Sequence, residues 1–213
     1  MEIEALTRPA APGAPLVLAL HGQWEDEHAW PERLRDRGGG LTWVFPRGPY
    51  HAEAERRGRR LSGRSWYEYT GDPAAFAASL RETGVWLLAL LDRTLAATRA
   101  DPTRVFVLGF SQGGYQGGST ALLWPERFAG AAILGSRFKT ELLEGDFAGV
   151  RPLRLFSGHG VRDRSVRPEP AAEHAKALID AGVDLVHKEY ACGHRVLPAM
   201  IDDALMHLLA VRD

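Results

Sequence analysis

One serine of this chain lies in a turn that is typical of nucleophiles. The residues Gly-Phe-Ser-Gln-Gly at 109–113 match the pattern G-x-S-x-G, in which a serine occupies a sharp turn between a strand and a helix. An apolar run, Val105–Leu108, precedes the pattern, and a helix-compatible segment that ends near Trp124 follows it. A glycine-rich chain can contain this pattern by chance. The strand predicted before it and the helix predicted after it are therefore what support a nucleophile at this position. The sequence therefore predicts Ser111 as a nucleophile at the end of a buried strand.

A serine hydroxyl needs a base within hydrogen-bond reach and a third group that orients the base. On a strand–turn–helix scaffold, these residues follow the chain order Ser, Asp or Glu, then His, each after a strand. Asp163 is the first acidic residue beyond the apolar run Leu153–Phe156, and His194 follows the last apolar run. We therefore predict a triad of Ser111, Asp163 and His194. Other acidic and histidine residues are less well placed, inside elements, before strands or in the turn itself: Asp146, Asp180, Asp184, His159, His174, His187 and His207.

Two backbone N–H groups are predicted to hold the negatively charged oxygen of the reaction intermediate. The N–H of Gln112 lies at the start of the helix after Ser111, where N–H groups lack partners and the helix dipole is positive. The second donor should come from the loop after the first strong strand, where Leu-His-Gly-Gln-Trp at 20–24 places the N–H of Gln23. His21 is expected to orient this loop.

Short apolar runs alternate with longer amphipathic segments along the chain. The predicted strands are Leu16–Leu20, Leu41–Phe45, Val105–Leu108, Ala129–Leu134, Leu153–Phe156 and Val183–Tyr190. The predicted helices are Pro73–Thr98 with Asp72 as its N-cap, Glu169–Ala181 and Leu197–Val211. This alternation predicts an α/β fold with a mostly parallel sheet, and functional loops at the carboxyl ends of its strands. With neither repeat nor linker, residues 1–213 are expected to form a single domain.

The connection formed by residues 46–72 is too long to fit this alternation of strands and helices. It contains the aromatic residues Trp66, Tyr67 and Tyr69. Long ordered loops are often functional, but runs of charge more often form a solvated surface. We therefore expect a solvated excursion. Its arginines are Arg47, Arg56, Arg57, Arg59, Arg60 and Arg64.

The composition is that of an ordinary globular protein. Of 213 residues, 45% are hydrophobic and 25% charged, and the net charge of -1 gives no reason to expect nucleic acid or an anionic membrane as a partner. The single cysteine, Cys192, excludes an intramolecular disulfide. The acidic start at 1–4 is not followed by the apolar region of a secretory signal, and Val85–Leu91 is shorter than the roughly 20 residues of a membrane span. A cytoplasmic location is therefore expected.

These motifs together resemble the phospholipase/carboxylesterase family of α/β-hydrolases. The resemblance rests on Leu-His-Gly at 20–22, Gly-Phe-Ser-Gln-Gly-Gly at 109–114, His-Gly-Val-Arg-Asp at 159–163 and Gly-His at 193–194. Asp-Pro at 101–102 and Trp-Tyr-Glu at 66–68 also fit the pattern of that family. The resemblance implies an α/β-hydrolase fold with helices on both faces and no separate cap domain. It also implies a serine hydrolase that acts on small acyl esters or thioesters without cofactor or metal, in a family whose members often form homodimers.

The chain departs from the family pattern beside the predicted oxyanion loop. Members commonly have a glycine and an aspartate soon after the His-Gly pair, whereas this chain has residues 23–27, Gln-Trp-Glu-Asp-Glu. Trp24, Trp66 and Phe110 are the residues we predict to line the substrate pocket. Because Trp24 would narrow the side that holds the acyl chain, short-chain esters are the expected substrates.

Three other interpretations stay open. A dienelactone-hydrolase type is related, but it usually carries cysteine as nucleophile where this chain has Ser111. A metal-dependent hydrolase would use His21, Glu25, Asp26 and His28, whose spacing matches no strong ligand pattern. A non-catalytic binding protein on a hydrolase scaffold is the third, since a fold does not guarantee chemistry.

Overall fold

The computed structural model describes residues 3–56, 58–69 and 71–210. Its strands are β1 (Ala5–Arg8), β2 (Leu16–Leu20), β3 (Thr42–Pro46), β4 (Tyr50–Arg56), β5 (Arg59–Ser65), β6 (Val105–Phe110), β7 (Gly130–Leu134), β8 (Arg154–Gly160) and β9 (Asp184–Tyr190). Its α-helices are α1 (Ala29–Leu34), α2 (Pro73–Thr98), α3 (Gln112–Leu123), α4 (Pro168–Asp180) and α5 (Pro198–Leu209). Seven strands form one sheet in the order β1-β3-β2-β6-β7-β8-β9, and β4 pairs with β5.

The seven-stranded sheet is parallel except at one edge, where β1 runs antiparallel to β3. Every residue of β2 is buried, and successive residues face opposite sides of the sheet. Leu16, Leu18 and Leu20 pack in the core layer that contains residues of α2, α3 and α4. Val17 and Ala19 pack in the second layer, with residues of α1 and α5. Burial on both faces explains why this strand is a continuous apolar run in the sequence.

The predicted α/β-hydrolase fold is confirmed, with a mostly parallel sheet and helices on both faces. The strand β2 and the helix α2 have the predicted bounds, and the Asp72 carboxylate caps α2 by accepting from the N–H groups of Ala74 and Ala75. The strand β8 continues to Gly160, four residues beyond its predicted end. The last helix ends at Leu209, and Val211 lies outside the described residues.

The sequence predicts a solvated excursion over residues 46–72 but not the regular structure that this segment contains. Most of this segment is the antiparallel hairpin of β4 and β5, which pairs Tyr50 with Ser65 and Arg56 with Arg59. Each strand has three charged residues among its seven, and neither shows the apolar alternation that predicts a strand. The pairing is made by backbone groups. Arg57 lies outside the described residues.

Within the described residues, α2 is the helix that is long and apolar enough to cross a membrane by length and composition. The core helix of a globular protein passes the same test. The buried residues of α2 lie in the core layer with α3: Leu80, Leu87, Leu90 and Leu91. This burial is the pattern of a core helix.

Candidate active site

Ser111 occupies a strained turn between β6 and α3. Its φ is 51° and its ψ is -119°, a combination that L-residues rarely adopt. Glycines allow the turn to be this tight, because a Cβ at Gly109 would overlap the backbone of Gly113, and a Cβ at Gly113 would overlap the backbone carbonyl of Leu20. The turn holds the Ser111 side chain at the carboxyl end of the central strand.

The three residues of the predicted triad form one chain of hydrogen bonds. The Ser111 hydroxyl lies 2.9 Å from Nε2 of His194, and Nδ1 of His194 lies 2.7 Å from Oδ2 of Asp163. With Nδ1–H donating to the carboxylate, Nε2 is free to accept the serine proton. Three loops, after β6, β8 and β9, supply these side chains at the same edge of the sheet.

The Asp163 carboxylate is fixed by its own loop. Its Oδ1 accepts from the backbone N–H groups of Ser165 at 2.8 Å and Val166 at 3.0 Å. The buried His159 ring donates to the Val166 carbonyl through Nε2 at 2.9 Å, and the same atom lies 3.5 Å from Asp163 Oδ2. His159 therefore holds the turn that carries the acid.

The ring of His21 organises the loop that follows β2. Its Nδ1–H donates to the carbonyl of Gly22 at 2.7 Å, and its Nε2 accepts from the N–H of Gly48 at 3.0 Å. These two bonds require the neutral ring with its proton on Nδ1. Burial lowers the pKa of His21, which favours the same neutral form. His21 thus ties the β2 loop to the connection after β3.

The carboxylate of Glu25 fixes the backbone of Gly22 within this loop. Glu25 Oε2 accepts from the Gly22 N–H at 2.8 Å and from Arg33 at 3.0 Å, and the two side chains form a second bond through Oε1 of Glu25. The Arg33 guanidinium lies 5.2 Å from the centre of the Phe110 ring. The ion pair therefore joins the predicted oxyanion loop to the residue that precedes Ser111.

The β4–β5 hairpin extends its pairing to the oxyanion loop. The N–H of Trp24 donates to the Arg64 carbonyl at 3.0 Å, and the N–H of Arg64 donates to the Glu25 carbonyl at 2.9 Å. A Cβ at Gly63 would overlap the Trp24 carbonyl, so the two backbones are in direct contact. Trp24 has a φ of 67°. This strand-like contact fixes the segment that carries Gln23.

The side chain of Gln112 has a structural role that sequence reasoning missed. Its Oε1 accepts from the Trp66 N–H at 3.0 Å, while its Nε2 donates to Ser65 Oγ at 2.8 Å and to the Tyr67 carbonyl at 3.2 Å. Only the backbone N–H of Gln112 was predicted to matter. The side chain links the nucleophile turn to the end of the hairpin, a contact between residues more than 40 positions apart that no local pattern indicates.

These loops surround a cleft of about 1260 Å³ at the carboxyl edge of the sheet. Ser111, His194, Gln23 and Gln112 line it. Its other described lining residues are Gly22, Trp24, Glu25, His51, Ala52, Glu53, Ser65, Tyr67, Glu68, Tyr69, Pro73, Phe76, Phe110, Tyr115, Arg137, Lys139, Glu141, Arg164, Ser165 and Val166.

The three predicted pocket residues lie in different places. Trp24 and Phe110 line the cleft, and the Phe110 ring also packs against the His194 ring, with 4.9 Å between the ring centres. Trp66 is fully buried and is not among the residues that line the cleft. Its indole N–H donates to the His21 carbonyl at 2.8 Å. The structure therefore corrects the placement of Trp66, which lies beneath the oxyanion loop because its indole N–H finds a buried partner there.

Comparison of the whole sequence with protein families decides the relationship. A sequence profile described as Phospholipase/Carboxylesterase matches residues 1–211. The chain belongs to this family. The match spans every strand and helix described above, including the three loops of the hydrogen-bonded Ser–His–Asp chain.

Plant proteins named as carboxylesterases are distant relatives of this chain. Carboxylesterase SOBER1 of Arabidopsis thaliana is 26% identical over 163 residues, which cover 73% of this chain and 70% of that protein. The chain spans less of two further plant relatives, 60% and 61% of their lengths.

Solved structures share the fold over almost the whole chain. The crystal structure of esterase PE8 has a TM-score of 0.76 at 23% identity and covers 95% of this chain and 96% of its own. Acyl-protein thioesterase 2 of Zea mays has a TM-score of 0.72 at 18% identity, covering 94% of this chain and 95% of its own. At these identities the likeness shows the fold alone.

Two of the residues weighed for a metal site, His21 and Glu25, have other partners. Both ring nitrogens of His21 are bonded within the protein, and Glu25 is paired with Arg33. Across the described residues, no group of three or more His, Cys, Asp and Glu side chains is arranged to hold a metal ion.

Cys192 is buried, and burial raises the pKa of its thiol, which disfavours the reactive thiolate.

Proposed function

We propose that the chain is a serine hydrolase that cleaves carboxylic esters or thioesters through an acyl-enzyme intermediate. The observation that carries this proposal is the hydrogen-bonded chain from Ser111 through His194 to Asp163, which lies in the cleft of a phospholipase/carboxylesterase family member. Geometry of this kind, more than fold, argues for chemistry.

In the first step, the Ser111 oxygen attacks the acyl carbonyl while Nε2 of His194 takes the hydroxyl proton. Asp163 holds the imidazole in the required tautomer and stabilises the imidazolium that forms. The bond to the leaving oxygen or sulfur then breaks, and His194 returns its proton to that atom. The alcohol or thiol leaves, and Ser111 carries the acyl group as an ester.

In the second step, water takes the place of the serine hydroxyl. His194 removes a proton from the water as its oxygen attacks the acyl-enzyme, and the carboxylic acid is released as the proton returns to Ser111. In both steps the carbonyl oxygen becomes negatively charged, and the backbone N–H groups of Gln23 and Gln112 are proposed to bind it. Each such donor contributes roughly 3 kcal/mol of transition-state stabilisation.

Esters and thioesters both fit this mechanism. The relative SOBER1 is named a carboxylesterase, and the structural neighbour from Zea mays is named an acyl-protein thioesterase. The two substrates differ in the atom that leaves, oxygen or sulfur, and a thiolate leaves more readily than an alkoxide because it is less basic. Comparing kcat/KM for an ester and a thioester of the same acyl group therefore shows which of the two the enzyme prefers.

Replacement of the nucleophile tests the proposed function. We expect the wild-type chain to hydrolyse 4-nitrophenyl acetate and to be labelled by a fluorophosphonate, and Ser111→Ala to lose both properties while it stays folded. The matched control is Ser62→Ala, which removes an exposed hydroxyl from the hairpin. Ester hydrolysis that survives in Ser111→Ala would move the nucleophile elsewhere, and loss of activity with EDTA would favour the metal-dependent alternative. A folded wild-type chain that neither reacts nor hydrolyses would favour the binding protein.

Short acyl chains are the proposed preference. Trp24 lines the cleft beside Gln23, the proposed oxyanion donor, so a chain extending from the bound carbonyl would meet the indole. We expect kcat/KM to fall from 4-nitrophenyl acetate to the dodecanoate, and Trp24→Ala to reduce this fall. Higher kcat/KM for the long chains in the wild-type protein would contradict the preference.

A further inference from the structure

The connection after β7 aims two cationic side chains into the cleft. Phe138 is buried against α3, where a Cβ on Gly118 would lie 3.2 Å from its ring, and Ser136 is buried as well. The residues on either side of Phe138, Arg137 and Lys139, line the cleft instead. Their side chains are only 19% and 12% exposed. The cations are therefore held in place by a buried anchor.

One carboxylate serves both of these cations. Glu141 Oε1 lies 2.9 Å from Arg137 and 2.6 Å from Lys139, and Oε2 lies 3.0 Å from Arg137. Lys139 Nζ also lies 4.8 Å from the centre of the Phe76 ring on α2. Two positive charges against one negative charge leave this side of the cleft with a formal charge of about +1.

The polar neighbours of these cations add no further negative charge. Tyr115 and Arg137 both line the cleft, and burial raises the pKa of Tyr115, which keeps the phenol neutral. His174 Nε2 lies 2.8 Å from Arg137, and burial, assisted by the charge of Arg137, lowers the pKa of His174. We call Tyr115, Arg137 and Lys139 together the basic wall.

Most of the other charged groups around the cleft have a counterpart of opposite charge. Two carboxylates that line the cleft are each paired with an arginine that does not line it. These pairs are Glu25 with Arg33 and Glu53 with Arg60. Glu68 and Arg164 also line the cleft and carry opposite charges. Asp163, which is bonded to His194, adds one negative charge at the triad rather than beside Arg137 and Lys139. The excess positive charge is therefore concentrated at the basic wall.

The basic wall is one helical turn from the nucleophile. The N–H of Tyr115 donates to the carbonyl of Ser111 at 3.0 Å, and both residues line the same cleft. A substrate whose carbonyl carbon is at Ser111 thus has a group a few bonds away within reach of the wall.

We propose that the basic wall binds a carboxylate of the substrate, so that the preferred substrates are esters or thioesters with a free carboxylate several bonds from the scissile carbonyl. A carboxylate would complete the charge balance of Arg137 and Lys139, and the Tyr115 hydroxyl offers it a further hydrogen-bond donor. This inference rests on the proposed hydrolase function and adds its substrate class.

Two pairs of esters test the inference and distinguish the part of the substrate that carries the carboxylate. The mono-4-nitrophenyl ester of adipate is compared with its terminal primary amide, which places the charge on the acyl group. The compounds 4-acetoxybenzoate and 4-acetoxybenzamide place it on the leaving group. We expect a higher kcat/KM for the anionic member of at least one pair, and a smaller preference at high salt because ions screen the attraction.

Variants with opposite effects on the charge sharpen the test. Lys139→Gln should reduce the anionic-to-neutral ratio of kcat/KM roughly tenfold, and Glu141→Gln, which removes the competing carboxylate, should increase it. Lys176→Gln is the matched control, since it removes an exposed lysine of α4 that pairs with Asp180. We expect it to leave the ratio unchanged.

Failure of the inference differs from failure of the proposed function. If the wild-type chain hydrolyses both members of each pair at equal kcat/KM, and neither variant changes the ratio, the carboxylate subsite is wrong while the hydrolase stands. If the wild-type chain hydrolyses none of the four esters and Ser111 resists the fluorophosphonate, the proposed function itself is wrong.

Discussion

At the level of residues, each side chain of the proposed triad has a defined hydrogen-bond partner. Asp163 uses one carboxylate oxygen for two backbone N–H groups and the other for His194. An acid held on both sides cannot rotate away from the imidazole without losing hydrogen bonds in a buried site. The tautomer of His194, on which proton transfer from Ser111 depends, is therefore set by the loop around Asp163.

Replacement of Asp163 by asparagine tests this dependence. The asparagine oxygen can still accept from Ser165 and Val166, but its amide then presents N–H donors to Nδ1 of His194. The imidazole would carry its proton on Nε2 and could not accept from Ser111, so we expect kcat to fall roughly 10³- to 10⁴-fold with the fold intact. Steady-state hydrolysis and urea unfolding measure both properties. Asp146→Asn, in an exposed turn, is the control, and a fall of less than tenfold in Asp163→Asn would contradict the proposed role.

At the level of elements, the hairpin of β4 and β5 shapes the oxyanion loop. The Arg64 backbone pairs with residues 24 and 25, and Gly63 brings the two backbones into contact. The Gln112 side chain fixes the end of the same hairpin to the nucleophile turn. The proposed donors Gln23 and Gln112 are therefore both connected to one element that lies outside the main sheet.

Substitution of Gly63 tests this coupling. Because the Cβ of Gly63→Ala would overlap the Trp24 carbonyl, we expect the oxyanion loop to shift and kcat to fall roughly tenfold or more. The matched control is Gly39→Ala, where a Cβ meets nothing within 4 Å. Kinetics and urea unfolding of both variants separate the effect on the site from the effect on stability. Unchanged kcat in Gly63→Ala would show that the hairpin does not set the geometry of the loop.

The elements differ in how far the sequence predicts them, for physical reasons. Strands buried on both faces are apolar throughout, and so β2 and β6 are visible in the sequence. The edge strand β1 has four partly or fully exposed residues, and the charged hairpin is paired by its backbone, so neither has a hydrophobic pattern. The short helix α1 has a proline within its six residues, which obscures its helical pattern.

The residues of the candidate site also differ in how far the sequence predicts them. The Ser, Asp and His candidates follow from chain order and strand ends, both of which are local properties of the sequence. The bonds of Gln112 to Ser65 and Tyr67, and the Gly22–Glu25 bond, depend on how distant loops pack or on a single turn conformation. Such contacts leave no periodic signal in the sequence. For the same reason, the sequence predicted that Trp66 lines the cleft, whereas it is buried outside the lining.

At the level of the whole molecule, the packing of this fold keeps several histidines away from water. Burial is the main cause that lowers the pKa values of His21, His174 and His187. They lie in different parts of the molecule: after β2, in α4 and in β9. The neutral ring of His21 is also required by its two hydrogen bonds. Protonation of these rings is therefore opposed by the folded state as a whole.

The free energy of unfolding should consequently fall when the pH drops below about 6.5, the ordinary pKa of histidine in an unfolded chain. A pKa lowered by folding means that the unfolded chain binds protons first, so stability is greatest above that pH and decreases until the folded-state pKa values are reached. The Glu141 carboxyl does not contribute in this range, because hydrogen bonds from Arg137 and Lys139 outweigh burial and lower its pKa to about 2. Urea unfolding at pH 7.5 and 5.5 measures the change, and His187→Gln should make it smaller. The exposed His28→Gln is the control, and equal stability of the wild-type chain at both pH values would contradict the argument.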